Sequence, residues 1–367
     1  MNLKEIKWKS FSFPDIFEIK GGFYNKKPEA NAVGNVPFIG ATDSNNGITQ
    51  FNTYDEIDMT SKTGDDNNAP IEKKIFNGNC IVVTNNGSVG YAYYQVSDFT
   101  CSHDVNPLYL RERKLTPNLA YFLIGAIEKQ RVCFTYVHKW RPMRMRKSKI
   151  LLPMLEDGKP DYEFMEQYTN NIQSKKRYKY LKYCKMQLDV LSTEKEIKSK
   201  EKIIWKDFFI STLFEKPQRG KRIVEKNHIA GDTPLVSSYG QGNGVTNFIG
   251  NEEKVKKFTD CISIANGGSS AGKAFYHPYT FIAADHVTQC WNKNLNKYQY
   301  LFLATVMTKA LTGKYSFSHE ISDPRLAKER IMLPTTESGE PDYEYMEQYI
   351  KNLMIKKYKS YLDYVEK

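Results

Sequence analysis

"PDYEFMEQY" at Pro160–Tyr168 returns as "PDYEYMEQY" at Pro341–Tyr349, with eight of nine residues identical and a separation of 181 positions. A nonapeptide repeated at that distance signals the duplication of something larger. Both copies follow a Gly-x-Pro turn, Gly158-Lys159-Pro160 and Gly339-Glu340-Pro341. Asp161 and Asp342 then stand where helix N-caps belong, with Glu163 and Glu344 placing negative charge in the first turn. Two long helices are predicted, from Asp161 to about Lys200 and from Asp342 to Lys367. The first carries the apolar stripes Met165, Tyr168, Ile172 and Leu181, Cys184, Leu188, Leu191. The second carries Met346, Tyr349, Leu353 and Leu362, Val365. Both stripes break at "KKRYK" and "KKYKS". Matched stripes at this spacing predict that the helices pack on each other as an antiparallel coiled coil.

The repeat extends over the chain. "WKSFSFPDIFEI" from Trp8 faces "WKDFFISTLFEK" from Trp205, and "VPFIGATDSNNGITQF" faces "TPLVSSYGQGNGVTNF" at the same offset of 197. "NCIVVTNNGS" faces "DCISIANGGS" at offset 181, so the first copy holds 16 extra residues. That insert, "TYDEIDMTSKTGDDNNAPIEKK", is polar and reads as a surface loop. "NCIVVTNNGSVGYAYYQ" and "DCISIANGGSSAGKAFYH" read as strand–turn–strand. "TPNLAYFLIGAIEKQ", capped by Thr116 and Pro117, and "KYQYLFLATVMTKAL" read as short buried helices. The expected class is α+β: two tandem domains, each followed by a long helix. The boundaries are 1–155, 156–202 (helix and linker), 203–336 and 337–367.

The 367 residues suit two domains, and 40% hydrophobic residues suffice to bury their cores. A formal charge of +11 suits an anionic partner such as nucleic acid. The six cysteines form no C-x-x-C pair and accompany no His cluster, so no metal site is expected and a cytoplasmic setting is. The start "MNLKEIKWKS" lacks an apolar signal, and no apolar run is long enough for a membrane span.

No catalytic constellation emerges. "GGSSAGKA" (Gly267–Ala274) approaches a phosphate-binding loop, but Ala274 replaces the required hydroxyl and a strand, not a helix, is expected next. "NPLY" (Asn106–Tyr109) lacks the second proline of a methyltransferase loop and reads as a strand end. His103-Asp104 faces Asp285-His286 in reversed order, which suits structural hydrogen bonding or nucleic-acid contact rather than acid–base work. Asp161, Glu196 and Lys198 would be strung along one helix and could not converge.

Binding residues are more visible. The matched polar loops offer Ser44, Asn45, Asn46, Asn85, Asn86 and Ser88 in the first copy. In the second they offer Tyr239, Gln241, Asn243, Asn266, Ser269, Ser270 and Lys273. Short amides and backbone N–H groups in such turns suit phosphate and base-edge contact. "YVHKWRPMRMRKSK" interleaves Tyr136, His138, Lys139, Trp140, Arg141 and Arg144, the make-up of a nucleic-acid surface. The second copy has "YSFSHEISDPRLAKER" there, keeping Tyr315, His319 and Arg325 but adding acids.

These blocks resemble the DNA-specificity (S) subunit of type I and type IIB restriction–modification systems. The resemblance rests on "NNGSVGYAYYQ", "YVHKW" and "LLPMLEDGKPDYEFMEQY", with "NGGSSAGKAFYH" and "IMLPTTESGEPDYEYMEQY" in the second copy, and spans nearly the whole chain. The second copy departs at "YSFSHEI". The resemblance implies two target recognition domains, each reading half of a bipartite double-stranded DNA sequence. It implies spacer helices that dock methyltransferase (modification) subunits through Met165, Tyr168, Ile172, Met346, Tyr349 and Leu353, with a restriction subunit as a further candidate partner. It implies no catalytic residue and no cofactor in this chain; S-adenosylmethionine would sit in the partner, which methylates adenine. The competing reading is a stand-alone two-domain nucleic-acid-binding regulator.

Overall fold

The computed structural model describes residues 6–65, 68–134, 138–191 and 194–366. The chain divides into two compact units, Met1–Lys179 and Tyr180–Lys367.

In the first unit, strand Trp8–Ser12 pairs antiparallel with Lys149–Pro153, tying the start of the copy to its end. A four-stranded sheet runs in the order Phe17–Ile19, Val105–Leu110, Cys80–Thr84, Ala92–Gln95. Cys80–Thr84 is buried along its whole length, as a central strand covered on both faces should be. Its hairpin partner starts in register at Cys80↔Gln95, which confirms the strand–turn–strand reading. A three-stranded sheet sets Val36–Ile39 antiparallel to Ile48–Asn52 and parallel to Thr100–Cys101. Helix Pro117–Glu128 starts as expected: the Thr116 hydroxyl accepts from Leu119 N, and proline occupies the first turn. Its Leu119, Leu123 and Ile127 enter a core shared with Phe13, Ile81, Trp140 and Met165.

The insert is not the loop that its polarity suggested. Thr53–Glu56 forms a capping box, and helix Tyr54–Met59 follows with Ile57 fully buried. Glu56 accepts from the backbone N–H groups of Thr53, Asn31 and Ala32 and from the Asn52 amide. These donors, Thr53 foremost, hold its carboxyl near a pKa of about 2. Lys74 is buried; its ammonium donates to the carbonyls of Ile57 and Asp58 and to Asn68 Oδ1. Ile57, which joins a cluster with Tyr24, Val36 and Phe38, and the buried Lys74 ammonium anchor this mainly polar insert.

The second unit repeats the plan. Trp205–Phe209 pairs with Arg330–Pro334. The first sheet orders Gln218–Arg219, Val287–Cys290, Cys261–Ala265 and Ala274–His277; the second orders Val245–Ile249, Ala230–Val236, Phe281–Ala283 and Lys257–Phe258. Helix Lys297–Leu311 begins with a capping box at Asn296 and Gln299.

The two long helices are Tyr162–Leu191 and Tyr343–Glu366. Asp161 Oδ1 accepts from Phe164 N and Asp342 Oδ1 from Tyr345 N, each at 2.9 Å, so both caps are as the sequence predicts. The first helix ends well before Lys200. Past Leu191 the charged run offers no apolar residue at helical spacing, and instead Lys195 N and O bond the amide of Asn352. Within the second unit the end of the first helix runs antiparallel to the last one: Tyr180 meets Tyr361 edge-on, and Tyr183 meets Tyr358. Cys184 and Leu191 are buried there with Ile355 and Tyr358. The expected break at "KKYKS" is therefore absent from the second helix, because Tyr358 carries the stripe through it. In the first helix, each of residues 170–179 is exposed.

Candidate nucleic-acid interface

In the first unit three loops converge. Asn45 and Asn46 adopt left-handed backbone (φ 51° and 53°), a conformation asparagine tolerates, and lie exposed with Ser44. The loop is anchored from below, Asn46 Nδ2 donating to Tyr94 O and Tyr93 OH to Thr42 O. The second loop, 85–88, lies beside it: a Cβ on Gly87 would come within 3.6 Å of Ala41 O. Asn86 Nδ2 donates to Asp104 Oδ1, and Ser88 is half-buried. Asn85 is buried. Its amide donates to His103 O and to Asn106 Oδ1, while Asn106 in turn donates to Trp140 O. This relay fixes the third loop, the basic segment, against the second.

Within that segment His138, Arg141 and Arg144 are exposed and Lys139 is half-buried. His138 stacks on Phe134 with ring centroids 5.8 Å apart. Trp140 is not a surface residue. It is fully buried, stacked on Phe134 at 4.5 Å and edge-on to Phe13, with its N–H donating to Ser148 Oγ. An indole this large gains more from the core than from a wet surface. Tyr136 lies outside the described residues.

The second unit builds the same place. Asn243 (φ 54°) sits where Asn46 does, and Tyr239, Gln241 and Asn243 are exposed. Ser238 Oγ donates to Gly267 O, and a Cβ on Gly240 would meet Ser270 Oγ at 2.9 Å, so this loop lies against the Asn-Gly-Gly-Ser turn. Ser269 is exposed; Ser270 and Lys273 are half-buried. Asn266, like Asn85, is buried: its carbonyl accepts from Ile321 N and its side chain bonds Thr288. Burial keeps Asn85 and Asn266 from any direct contact with a ligand; they join loops. Past the turn comes strand Ala274–His277, which completes the argument against a phosphate-binding loop.

The departure expected at "YSFSHEI" is one of side chains, not of frame. Tyr315 stacks on His319 at 5.3 Å, as Phe134 does on His138. Arg325 Nη1 donates to Glu320 O at 2.7 Å, as Arg144 Nη1 does to Lys139 O at 2.8 Å. Burial and the Glu329 carboxylate together push the Tyr315 hydroxyl up to about 12. Glu320 thus occupies the place of Lys139. Its carboxylate lies 3.3 Å from His286 Nδ1 and 3.7 Å from Arg219 Nη2. The loop lists read from sequence missed Glu320 and Arg219; aligning the copies at offset 181 would have set Glu320 on Lys139. The reversed pairs are structural in part: His103 contacts Tyr24 O and Asp104, while His286 contacts Asp285 and Glu320. Among the described residues no His/Cys/Asp/Glu group could hold a metal ion.

Of the helix residues expected to dock partners, Met165 and Met346 are fully buried in the cores of their own units and present no surface. Tyr168 packs edge-on to Phe122, and Tyr349 to Phe302, each pair at 5.8 Å. Ile172 is exposed and lines a groove of about 900 Å³ with Trp8, Phe122 and Leu151. Leu353 is exposed beside Lys195 and Ile197.

The model of the type I restriction modification DNA specificity domain matches residues 5–182 and again 203–361. The chain belongs to that family. One specificity domain thus corresponds to each copy. A curated relative, the type II restriction enzyme BgcI specificity subunit S.BcgI of Heyndrickxia coagulans, is 39% identical over 174 residues, which are 47% of this chain and 46% of the relative. The match thus spans about half the length of that relative. Among solved structures, the S subunit of a type I restriction-modification system from M. genitalium is 16% identical with a TM-score of 0.48, covering 100% of this chain and 94% of that one. The HsdS subunit from Thermoanaerobacter tengcongensis is 10% identical with a TM-score of 0.30, covering 97% and 91%. Among the described residues no helix of either specificity domain is long and apolar enough to cross a membrane.

Proposed function

We propose that this chain is the DNA sequence-recognition subunit of a restriction–modification methyltransferase complex. Each copy reads one half of a bipartite double-stranded target, and the long helices dock methyltransferase subunits, with a restriction subunit as a further partner. The partner holds S-adenosylmethionine, flips the target adenine and methylates it; this chain supplies position and specificity, in keeping with a family that is in general non-catalytic. One observation carries the reading. Two matched frames bring an Asn/Ser turn and an Arg-anchored segment together, while the side chains presented at matched places differ in charge, Lys139 against Glu320. Two similar scaffolds with different surfaces are what two different half-sites require.

The test is methylome sequencing of a host expressing the operon, with wild type and with residues 205–330 replaced by those of a relative. A bipartite motif is expected, and the exchange changes one half alone. No methylated motif, or a change in both halves, overturns the reading.

A further inference from the structure

We propose that Glu320 reads one base of the second half-site, as the acceptor for an exocyclic amino group in the major groove, cytosine N4 or adenine N6. The proposal rests on the DNA-recognition reading above and assigns it a residue and a chemistry.

A carboxylate on a DNA-facing surface is unusual, because phosphates repel it. Here it stands at the point where the first copy carries Lys139, on a backbone clasped in the same way. The fold does not demand the charge inversion: the same loop course is held in both copies. Nor do its ion pairs account for it. His286 and Arg219 approach at 3.3 and 3.7 Å, long for charge-assisted bonds, and all three side chains keep at least a third of their surface exposed. Exposed pairs of this kind contribute little to stability. What they do is orient the carboxylate, and the Arg219 guanidinium offsets phosphate repulsion.

An ionised carboxylate has about four lone-pair sites and no donor. It can therefore meet only the base edges that donate, and in the major groove those are the amino groups of cytosine and adenine. The position is shaped for the group: a Cβ on Gly267 would fall 2.8 Å from Glu320 Oε1, so the side chain lies flat on the Asn-Gly-Gly-Ser turn beside exposed Ser269.

The experiment uses the complete complex and duplexes of its methylated motif. Each second-half cytosine is replaced in turn by pyrimidin-2-one, which lacks the N4 amino group, and each adenine by purine, which lacks N6. Wild-type binding should fall about 10- to 100-fold at one position and little elsewhere. Which substitution does so identifies the base. Glu320→Ala should bind the substituted and unsubstituted duplexes equally at that position while keeping first-half discrimination. Glu320→Gln, which keeps the packing on Gly267 and one acceptor oxygen, should lie between, and it decides the matter if the alanine variant does not fold. The proposal is overturned if no second-half amino group matters to wild type, or if either variant that folds discriminates as wild type does. A wild-type complex with no bipartite preference would instead remove the functional reading beneath it.

Discussion

Replacing both Lys139 and Arg141 with alanine should flatten the salt dependence of DNA binding. Both residues lie in the segment that leads into the short helix Pro142–Met145, Arg141 exposed and Lys139 half-buried. The indole between them stays in the core, so the loop should keep its course. A cation that neutralises one phosphate contributes about 0.9 to the slope of log K against log salt. Two of them contribute about 1.8, and from ~50 to ~200 mM salt this amounts to roughly a tenfold smaller loss of affinity in the double variant. Fluorescence anisotropy of the purified chain on a non-specific duplex measures the slope without knowledge of the target. Circular dichroism of both proteins checks that the fold is kept. A slope that stays within a few tenths of the wild-type value would place the phosphate contacts elsewhere and refute the assignment of this segment.

Trp140→Ala should destabilise the first unit by about 3–5 kcal/mol, read by thermal unfolding, since the indole is enclosed by Phe13 and Phe134; a cost under about 1 kcal/mol would return the residue to the surface. His277 is buried beside Ser263, and burial lowers its pKa from 6.5 to about 4. A depressed folded-state value means that stability is fully present above pH 6.5 and is lost as pH falls towards 4, by about 3 kcal/mol in all. Denaturant unfolding of wild type and His277→Gln across this window should show a shallower fall for the variant; equal pH slopes would dismiss the role. Ile355→Ala should cost about 2–4 kcal/mol in the same assay, because Ile355 is sealed among Cys184, Leu191 and Tyr358; a negligible loss would mean that the helices do not depend on that contact.

The helix starts at Asp161 and Asp342 were legible because a cap is decided within a few residues. The strand–turn–strand units were legible because their apolar runs and Asn-Gly turns lie side by side in the chain. What composition concealed was tertiary. The insert reads as loop by polarity, yet Thr53 and Glu56 already spell a capping box; only the burial of Ile57 and Lys74 shows that it folds. Trp140, Asn85 and Asn266 have the residue types of a binding surface, and their burial depends on partners far along the chain, such as Phe13 for Trp140 and His103 for Asn85. The end of the first helix at Leu191 is set by the segment that follows it, which bonds to Asn352 instead.

The arginine clasp has a consequence for how such a chain changes its target. Arg144 and Arg325 grip the peptide oxygen of residues 139 and 320, and that atom is the same whatever side chain the residue bears. The loop's path is thus insulated from the identity of the side chain at that place, which differs between the two copies. A single codon change there can exchange a cation for an anion without a refolding step between them, so new half-site preferences lie one mutation apart on a scaffold that remains standing throughout.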